Sequence, residues 1–222
     1  EIAAQAGFDY VCVDMQHGMA DRSDLLTILQ AIQPHSRRAL VRVPANEFSV
    51  IGWALDMGAT GVIVPLVNSA ADAESAVRAT RHPPDGDRSM GPTRAIRIFG
   101  EACVEQAGEA IQCIPMIETR MALENLDEIL AVPGVDLVYV GPSDLSVNLG
   151  LGRGNHDGEP AFDEALAAIL DACRRHGVVP GIHSNASLAK RRLEAGFRVV
   201  TVAEDDTAML SGLAAVLDDL GR

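Results

Sequence analysis

The stretch that decides the fold runs from Cys113 to Ser146 and reads CIPMIETRMALENLDEILAVPGVDLVYVGPSDLS. It contains two short apolar runs, each typical of a buried strand, and between them an amphipathic pattern typical of a helix. Each run is followed by a carboxylate, Glu118 after the first and Asp144 after the second. A strand–helix–strand unit places two parallel strands with their carboxyl ends at one edge of the sheet. We therefore predict that the two carboxylates lie at the same edge.

The same alternation of apolar runs and amphipathic stretches repeats along the chain. Helical periodicity marks the stretches SDLLTILQAIQ, ADAESAVRATR, ALENLDEILA and FDEALAAILDACRRHG. Continuous apolar strands that alternate with helices are typical of a parallel sheet covered by helices on both faces. Seven runs are predicted to be strands, at residues 10–13, 39–43, 61–67, 111–117, 137–140, 178–182 and 198–203, and TAMLSGLAAVLDDL is predicted to be the last helix.

This strand count predicts an α/β fold of the (β/α)8 TIM-barrel class, with the first strand missing before Glu1. The opening EIAAQAGFDY has the pattern of a helix end that leads into a strand. We therefore expect a single barrel domain over residues 1–222. An open doubly wound sheet is the alternative, although no G-x-G-x-x-G or P-loop follows a predicted strand. Residues 83–100 form the longest irregular segment and are predicted to be a functional loop.

Composition restricts the partners and the compartment that we expect. The formal net charge of −13 over 222 residues argues against nucleic acid and anionic membrane as partners. No apolar run is long enough to span a bilayer, and no secretory leader is visible. The four cysteines lie far apart without a C-x-x-C pair, so we predict no disulfide framework or structural zinc site and a reducing, cytoplasmic location.

Polar side chains gather at the predicted carboxyl ends of the strands, where a (β/α)8 barrel carries its active site. Asp144 taken alone could be a helix N-cap, and a lone His17 would more often be structural. Arg42 lies within an apolar strand, where an unpaired guanidinium would be costly, so it must meet an anion. Together the strand-end residues favour a functional site, and they are Asp14, Gln16, His17, Arg42, Glu118, Asp144, His183 and Asn185.

Two carboxylates on this rim suit a hard cation such as Mg²⁺ or Mn²⁺, with water and substrate completing its coordination. An enzyme that makes or breaks a carbon–carbon bond beside a carbonyl must stabilise an enolate, through either a lysine Schiff base or a metal. Lys190 is the only lysine, and it lies in the helical stretch LAKRRLEAG rather than at a strand end. The metal route is therefore favoured.

The order of short motifs resembles the HpcH/HpaI family of metal-dependent pyruvate aldolases over essentially the whole chain. The motifs are GFDxxxxDxxH, VR, LDxGAxGxxVPxV, ATRxPP, ETR and GPxDLS. The resemblance implies reversible cleavage of a 4-hydroxy-2-oxoacid into pyruvate and an aldehyde through a metal-stabilised enolate. It implies that Glu118 and Asp144 are the protein ligands of a divalent cation (Mg²⁺, Mn²⁺ or Co²⁺), and that Arg42 stabilises the enolate.

The resemblance also assigns the remaining roles. His17 matches the general base, which acts through a water on the C4 hydroxyl, and Asp14 and Asp56 match the acids that orient it. Asp56 lies near the end of a helix just before the next strand, which makes a top-rim contact within one subunit difficult. The residues expected to contact substrate are Arg42, Gly141, Pro142, Ser143 and His183.

Asp56 is therefore expected to come from a neighbouring subunit. The resemblance implies a homo-oligomer, a trimer or a hexamer, formed by exchange of the C-terminal helix. Three departures from the family pattern concern the aldehyde half of the substrate, namely Gln16 in place of Glu, Met116 in place of Gln, and His183 in place of an apolar residue.

Two other functions stay open at this point. One is a citrate-lyase β-like lyase that acts on a CoA thioester, or a decarboxylase, although no basic extension that would accommodate adenine is visible. The other is a non-catalytic protein that binds a metal or a 2-oxoacid. Such a protein would be expected to lose the base, whereas His17 is present.

Overall fold

Seven parallel strands, hydrogen-bonded in chain order, form the centre of this computed structural model, which describes residues 1–35, 38–105, 111–154 and 156–221. Each predicted apolar run overlaps one of them, so the seven strand predictions are confirmed. The strands are β1 (Val11–Asp14), β2 (Ala39–Arg42), β3 (Gly61–Val64), β4 (Gln112–Ile117), β5 (Leu137–Val140), β6 (Val179–His183) and β7 (Val199–Thr201).

Helices connect the strands and cover the outer face of the sheet. They are α1 (Ile2–Gln5), α2 (Arg22–Ile32), α3 (Phe48–Asp56), α4 (Ala70–Thr80), α5 (Thr93–Phe99), α6 (Ala102–Glu105), α7 (Arg120–Glu124), α8 (Leu126–Leu130), α9 (Pro142–Asn148), α10 (Pro160–His176), α11 (Ala186–Ala195) and α12 (Asp205–Asp219). The stretch ALENLDEILA, predicted as one helical pattern, is divided between α7 and α8 because Asn125 leaves the helical conformation. Among the described helices, none is long and apolar enough to cross a bilayer.

One segment differs from its prediction. Residues 83–100 are not irregular throughout, because α5 occupies Thr93–Phe99. Pro92 directly precedes this helix and Gly100, with a φ of 83°, ends it, which is the usual asymmetry of helix punctuation. The part before α5 turns inwards at Arg88, whose side chain is buried.

The sheet buries side chains on both faces. Those on the outer face join helix residues in one large core. The inner face has a separate, smaller core without a helix residue among its buried members, formed by Leu40, Ile63, Ile114, Met116, Leu137 and Tyr139. Side chains alternate along each strand, and register partners on neighbouring strands point to the same face. The register therefore tells which polar residues share the inner face with this core.

The sheet is curled so that its two ends approach each other. The hydroxyl of Thr201, at the end of β7, lies 2.7 Å from the Tyr10 hydroxyl just before β1 and 2.5 Å from the Tyr139 hydroxyl on β5. The strand order follows the chain without the reversal that defines a doubly wound sheet, so that alternative is wrong. The α/β barrel-type architecture is confirmed. A further strand before Glu1 would lie outside the sequence and stays a prediction.

The C-terminal helix α12 stands apart from the rest of the chain. It contains no buried residue. Its large apolar side chains are exposed instead, and they are Met209, Leu210, Leu213, Val216 and Leu217, followed by Leu220. A helix with this much uncovered apolar surface needs a partner surface, because exposed apolar area costs free energy in water.

Candidate active site

The carboxyl ends of the strands bring most of the predicted site residues to one rim of the inner face. Asp14 pairs in register with Arg42, and His183 pairs with Thr201. Glu118 follows β4, two residues after Met116, and Gly141 follows β5, two residues after Tyr139. Met116 and Tyr139 are register partners that both face inwards. The alternation of strand side chains therefore explains why residues from six strands, β1, β2 and β4 to β7, face the same side there.

Asp14 and Arg42 form a bidentate ion pair. Arg42 Nε donates to Asp14 Oδ1 at 2.8 Å, and Nη2 donates to Oδ2 at 2.5 Å. Burial alone would raise the pKa of Asp14, but the hydrogen bonds from Arg42 and from the backbone N–H of Gln16 lower it. Arg42 thus meets an anion, as its place in an apolar strand predicts, and the pair uses two of the five N–H groups of the guanidinium.

Glu118 is the buried acid of the site, with only 1% of its surface exposed. Its Oε1 accepts a 2.8 Å hydrogen bond from the backbone N–H of Leu66, which follows β3. The pKa of Glu118 is raised to about 7, chiefly by burial and to a smaller extent by the charge of Asp144. The Leu66 hydrogen bond and the charge of Arg42 lower this pKa and offset part of the rise. A carboxylate held this way is short of positive charge, and the two charged groups that act on it are Asp144 and Arg42.

Gly141 makes room for the second oxygen of Glu118. A Cβ at residue 141 would lie 2.3 Å from Glu118 Oε2 and 2.9 Å from the end of Met116, so only glycine fits. Gly141 directly precedes α9, and Asp144 lies exposed in the first turn of that helix. The described residues offer Oε2 no hydrogen-bond donor. Because Gly141 adjoins Glu118 and lies three residues before Asp144, the two carboxylates flank one short turn.

This pair of carboxylates fits a hard divalent cation. Oxygen ligands are those that Mg²⁺ and Mn²⁺ prefer, and such ions commonly keep only one or two protein carboxylates with water or substrate in the other positions. Within the described ranges, no group of three or more His, Cys, Asp or Glu side chains is arranged to hold a metal. Glu118 and Asp144 are thus the residues that could hold one here.

His17 lies in the loop after β1, and its side chain is exposed. Asp14 Oδ1 accepts the backbone N–H of Gln16 at 3.0 Å and that of His17 at 3.3 Å. A Cβ at Gly18 would lie 2.3 Å from the Asp14 carbonyl oxygen, so the loop turns tightly back on β1. Asp14 therefore fixes the backbone that carries the imidazole as well as the guanidinium of Arg42.

Asp56 is the predicted site residue that the structure does not bring to this rim. It ends α3, which returns to the amino end of the sheet before β3 begins. Its Oδ1 accepts a 2.7 Å hydrogen bond from the buried Arg88. Two cavities of about 420 and 240 Å³ also open at this amino end, and Asp56 lines the larger one. Asp56 and His17 of one chain lie at opposite ends of the sheet.

The remaining predicted contacts lie around the mouth of the inner face. Pro142 begins α9 and Ser143 follows it in an exposed position. His183 ends β6, and its Nε2 lies 3.1 Å from Oε1 of Glu204, the residue before α12. Met116 is fully buried one layer below the rim, so it forms part of the floor.

The sequence does not predict two contacts of the rim, the Leu66 backbone with Glu118 and His183 with Glu204. Leu66 has a φ of 55°, a conformation that favours glycine or asparagine, and nothing in the run GVIVPLV marks it. This strained residue supplies the backbone N–H that donates to Glu118 Oε1, and strained backbone is often found at functional sites. Glu204 directly follows the last apolar run, so the signal that identifies Glu118, an acid just after a strand, also marks Glu204.

Comparison with known proteins shows to which family the chain belongs. Residues 1–211 match the family described as HpcH/HpaI aldolase/citrate lyase. The chain is 41% identical over 223 residues to a 4-hydroxy-2-oxo-heptane-1,7-dioate aldolase of Klebsiella pneumoniae, covering 97% of this chain and 82% of that protein. It is 40% identical over 217 residues to a 2-dehydro-3,6-dideoxy-6-sulfogluconate aldolase of Pseudomonas putida, covering 95% of this chain and 83% of that protein.

The fold agrees with these sequence matches. The crystal structure of an HpcH/HpaI aldolase/citrate lyase family protein from Burkholderia cenocepacia is 32% identical and superposes with a TM-score of 0.91, covering 100% of this chain and 89% of that one. The resemblance inferred from the motifs is confirmed. The chain belongs to the HpcH/HpaI aldolase/citrate lyase family.

Proposed function

We propose that the protein is a divalent-metal-dependent aldolase, a carbon–carbon lyase that reversibly cleaves a 4-hydroxy-2-oxoacid into pyruvate and an aldehyde. The observation that carries the proposal is the buried Glu118, which lies beside Asp144 and Arg42 at the carboxyl edge of the sheet. Two relatives at about 40% identity are named as aldolases, which supports the same reaction class.

Glu118 and Asp144 would hold the cation, which is Mg²⁺, Mn²⁺ or Co²⁺. When bound, the cation supplies Lewis-acid polarisation of the keto group of the 2-oxoacid. Gly141, Pro142 and Ser143 lie at the same turn and would contact the carboxylate end of that substrate. Glu118 Oε2 is held open for this purpose by the missing side chain of Gly141.

Arg42 would stabilise the enolate oxygen. Asp14 holds the guanidinium by Nε and one hydrogen of Nη2, which leaves three N–H groups for the substrate. Because Asp14 fixes the plane of the guanidinium before substrate arrives, these donors are preorganised for the charge that develops. Arg42 and Asp14 therefore act as one unit in this proposal.

His17 would take the proton of the C4 hydroxyl through a water during cleavage and return it during addition. Asp14 positions the loop of His17 through two backbone N–H groups. Asp56 would approach the imidazole only from another subunit, since within one chain it is bonded to Arg88 at the other end of the sheet.

We expect Arg42→Lys to lower kcat/KM for cleavage by about 100–1000-fold, since loss of one oxyanion donor costs roughly 3–4 kcal/mol. Lysine keeps the positive charge but lacks the planar, multi-donor head that binds Asp14 and substrate at once. Steady-state pyruvate release measures the effect. Arg174→Lys, at an exposed position on α10, is the matched control and should stay within about twofold of the parent. An Arg42→Lys variant within threefold of the parent would show that Arg42 only balances charge.

The chain also has the features of a homo-oligomer, and we propose a trimer or hexamer in which α12 of one copy covers the barrel of the next. The large apolar side chains of α12 are exposed, and the helix contains no buried residue. Replacing Leu213 and Leu217 with Gln should therefore release monomers, as measured by light scattering after size exclusion, whereas Asp218→Asn should leave the mass unchanged. A parent protein that is already monomeric would contradict the exchange.

The reaction itself is tested by pyruvate release from a racemic 4-hydroxy-2-oxoacid, with and without a chelator. Chelator-sensitive release supports the aldolase. Release of acetyl-CoA from a 3-hydroxyacyl-CoA thioester, without cleavage of the 4-hydroxy-2-oxoacid, would favour the CoA-dependent lyase. Tight pyruvate binding without turnover would favour a non-catalytic binding protein.

A further inference from the structure

A second acid–base pair borders the inner face on the side away from Arg42. His183 ends β6, and Glu204 lies beyond β7 at the start of α12. The imidazole Nε2 lies 3.1 Å from Glu204 Oε1, with 40% of the His183 side chain and 53% of the Glu204 side chain exposed. A carboxylate oxygen only accepts hydrogen bonds, whereas each imidazole nitrogen of His183 donates or accepts according to the tautomer. Both side chains are open to a ligand.

The register places this pair beside the proposed metal ligands. Ile182 pairs with Val140, so His183 and Gly141 follow at the same level on neighbouring strands, which lie about 4.8 Å apart. Gly141 is the residue that contacts Glu118 Oε2. His183 faces inwards, because its register partner Thr201 bonds to the inner-face residue Tyr139. The pair is thus one strand away from the point where the 2-oxoacid would bind.

Within the seven described strands the basic side chains are Arg42 and His183, and each lies against a carboxylate. Arg42 is already bound by Asp14. A divalent cation would be balanced by Glu118 and Asp144. His183, the other basic group on this layer of the inner face, is paired with Glu204. A carboxylate on an aldehyde that reaches this pair would meet the negative charge of the exposed Glu204, and like charges brought together are a common source of discrimination.

We infer, on the basis of the aldolase function proposed above, that His183 and Glu204 select the aldehyde and favour a neutral hydroxyaldehyde over an anionic one. A hydroxyl group matches both members of the pair, because it can donate to a Glu204 oxygen and can accept from a protonated imidazole nitrogen of His183. A site that hydrogen-bonds a substrate hydroxyl discriminates strongly against analogues that leave its polar groups unpaired. His183 and Glu204 are thus specificity-determining residues of this site.

The test measures aldol addition of pyruvate to glyceraldehyde, which is neutral, and to succinate semialdehyde, which is anionic. The parent should favour glyceraldehyde in kcat/KM by at least about tenfold. Glu204→Gln keeps the shape and removes the charge, so the ratio of the two kcat/KM values should fall by about tenfold or more, mainly through better use of succinate semialdehyde. Comparing ratios between parent and variant cancels the different intrinsic reactivities of the two aldehydes.

Asp206→Asn is the matched control, since it removes a neighbouring exposed charge on α12 whose Oδ1 accepts from the backbone N–H of Thr207 in the same helix, and it should leave the ratio within about twofold. Glu204→Lys is the second variant and should shift the ratio further in the same direction. Equal use of the two aldehydes by the parent, or a ratio that Glu204→Gln and Glu204→Lys leave unchanged, would overturn the inference. If the parent also fails to exchange the methyl protons of pyruvate, the aldolase proposal fails as well, whereas normal exchange confines the failure to the role of this pair.

Discussion

Replacing Glu118 with Gln is expected to lower pyruvate release by more than about 100-fold, because loss of even an outer-shell partner of a metal ligand typically costs about 10–100-fold. Gln has the same size as Glu, and its amide oxygen can still accept the Leu66 N–H. It lacks the negative charge that a divalent cation requires of its ligands. The measurement is steady-state release of pyruvate at saturating Mg²⁺, together with calorimetric titration of the cation, whose affinity should fall in parallel.

The matched control is Glu124→Gln, an exposed acid on α7 in the same connection between β4 and β5, which should stay within about twofold of the parent. A second readout tests the fold without activity. Burial raises the pKa of Glu118 from 4.5 to about 7, so in chelator the parent should lose stability as the pH rises through this interval, and Glu118→Gln should not. The Gln variant should then melt higher than the parent above pH 7. A Glu118→Gln variant with more than a tenth of the parent activity would contradict the assignment of this residue as a metal ligand.

Replacing His17 with Ala is expected to lower aldol cleavage by about 100–10,000-fold, the usual cost of removing a general base. Cleavage requires a proton to leave the C4 hydroxyl. Decarboxylation of oxaloacetate needs no such base, only the cation and Arg42, so it should survive in His17→Ala and fail in Glu118→Gln. One oxaloacetate assay beside one cleavage assay on each variant separates the two roles.

His35→Ala removes an exposed histidine just after α2, at the amino end of the sheet, and serves as the control that should leave both reactions within about twofold of the parent. The account predicts a split between the two reactions of His17→Ala. Equal loss of decarboxylation and cleavage would mean that His17 holds the site together, and its assignment as the base would then be wrong.

The parts of the fold that the sequence predicts are those in which one physical pattern dominates. The strands are buried on both faces, so their runs are continuously apolar, and β5 was predicted to the residue as LVYV. The same regularity explains the site. Glu118 and Asp144 follow adjacent strands of a parallel sheet, so they lie at the same edge. The side-chain alternation brings Arg42 to the same face.

The features that were not predicted depend on contacts between distant segments or on rare backbone. The left-handed Leu66 has no sequence marker, because its cost is offset by the surrounding structure. The helix α5 begins within a segment rich in Pro, Gly and Arg, where local pattern is weak. The Asp56–Arg88 and His183–Glu204 pairs join residues that are far apart in the chain or on different elements, and a single sequence does not report such pairs.

The central claim is that a divalent cation held by Glu118 and Asp144, and not a lysine adduct, activates the 2-oxoacid. It is tested most directly by exchange of the pyruvate methyl protons with deuterated water, followed by NMR, in protein freed of metal by EDTA and then supplied with Mg²⁺ or Mn²⁺. The account predicts that exchange stops in the metal-free protein, returns with the cation, and leaves no mass adduct when pyruvate and borohydride are added together. Full exchange in the metal-free protein, or a covalent pyruvate adduct after borohydride, would contradict it.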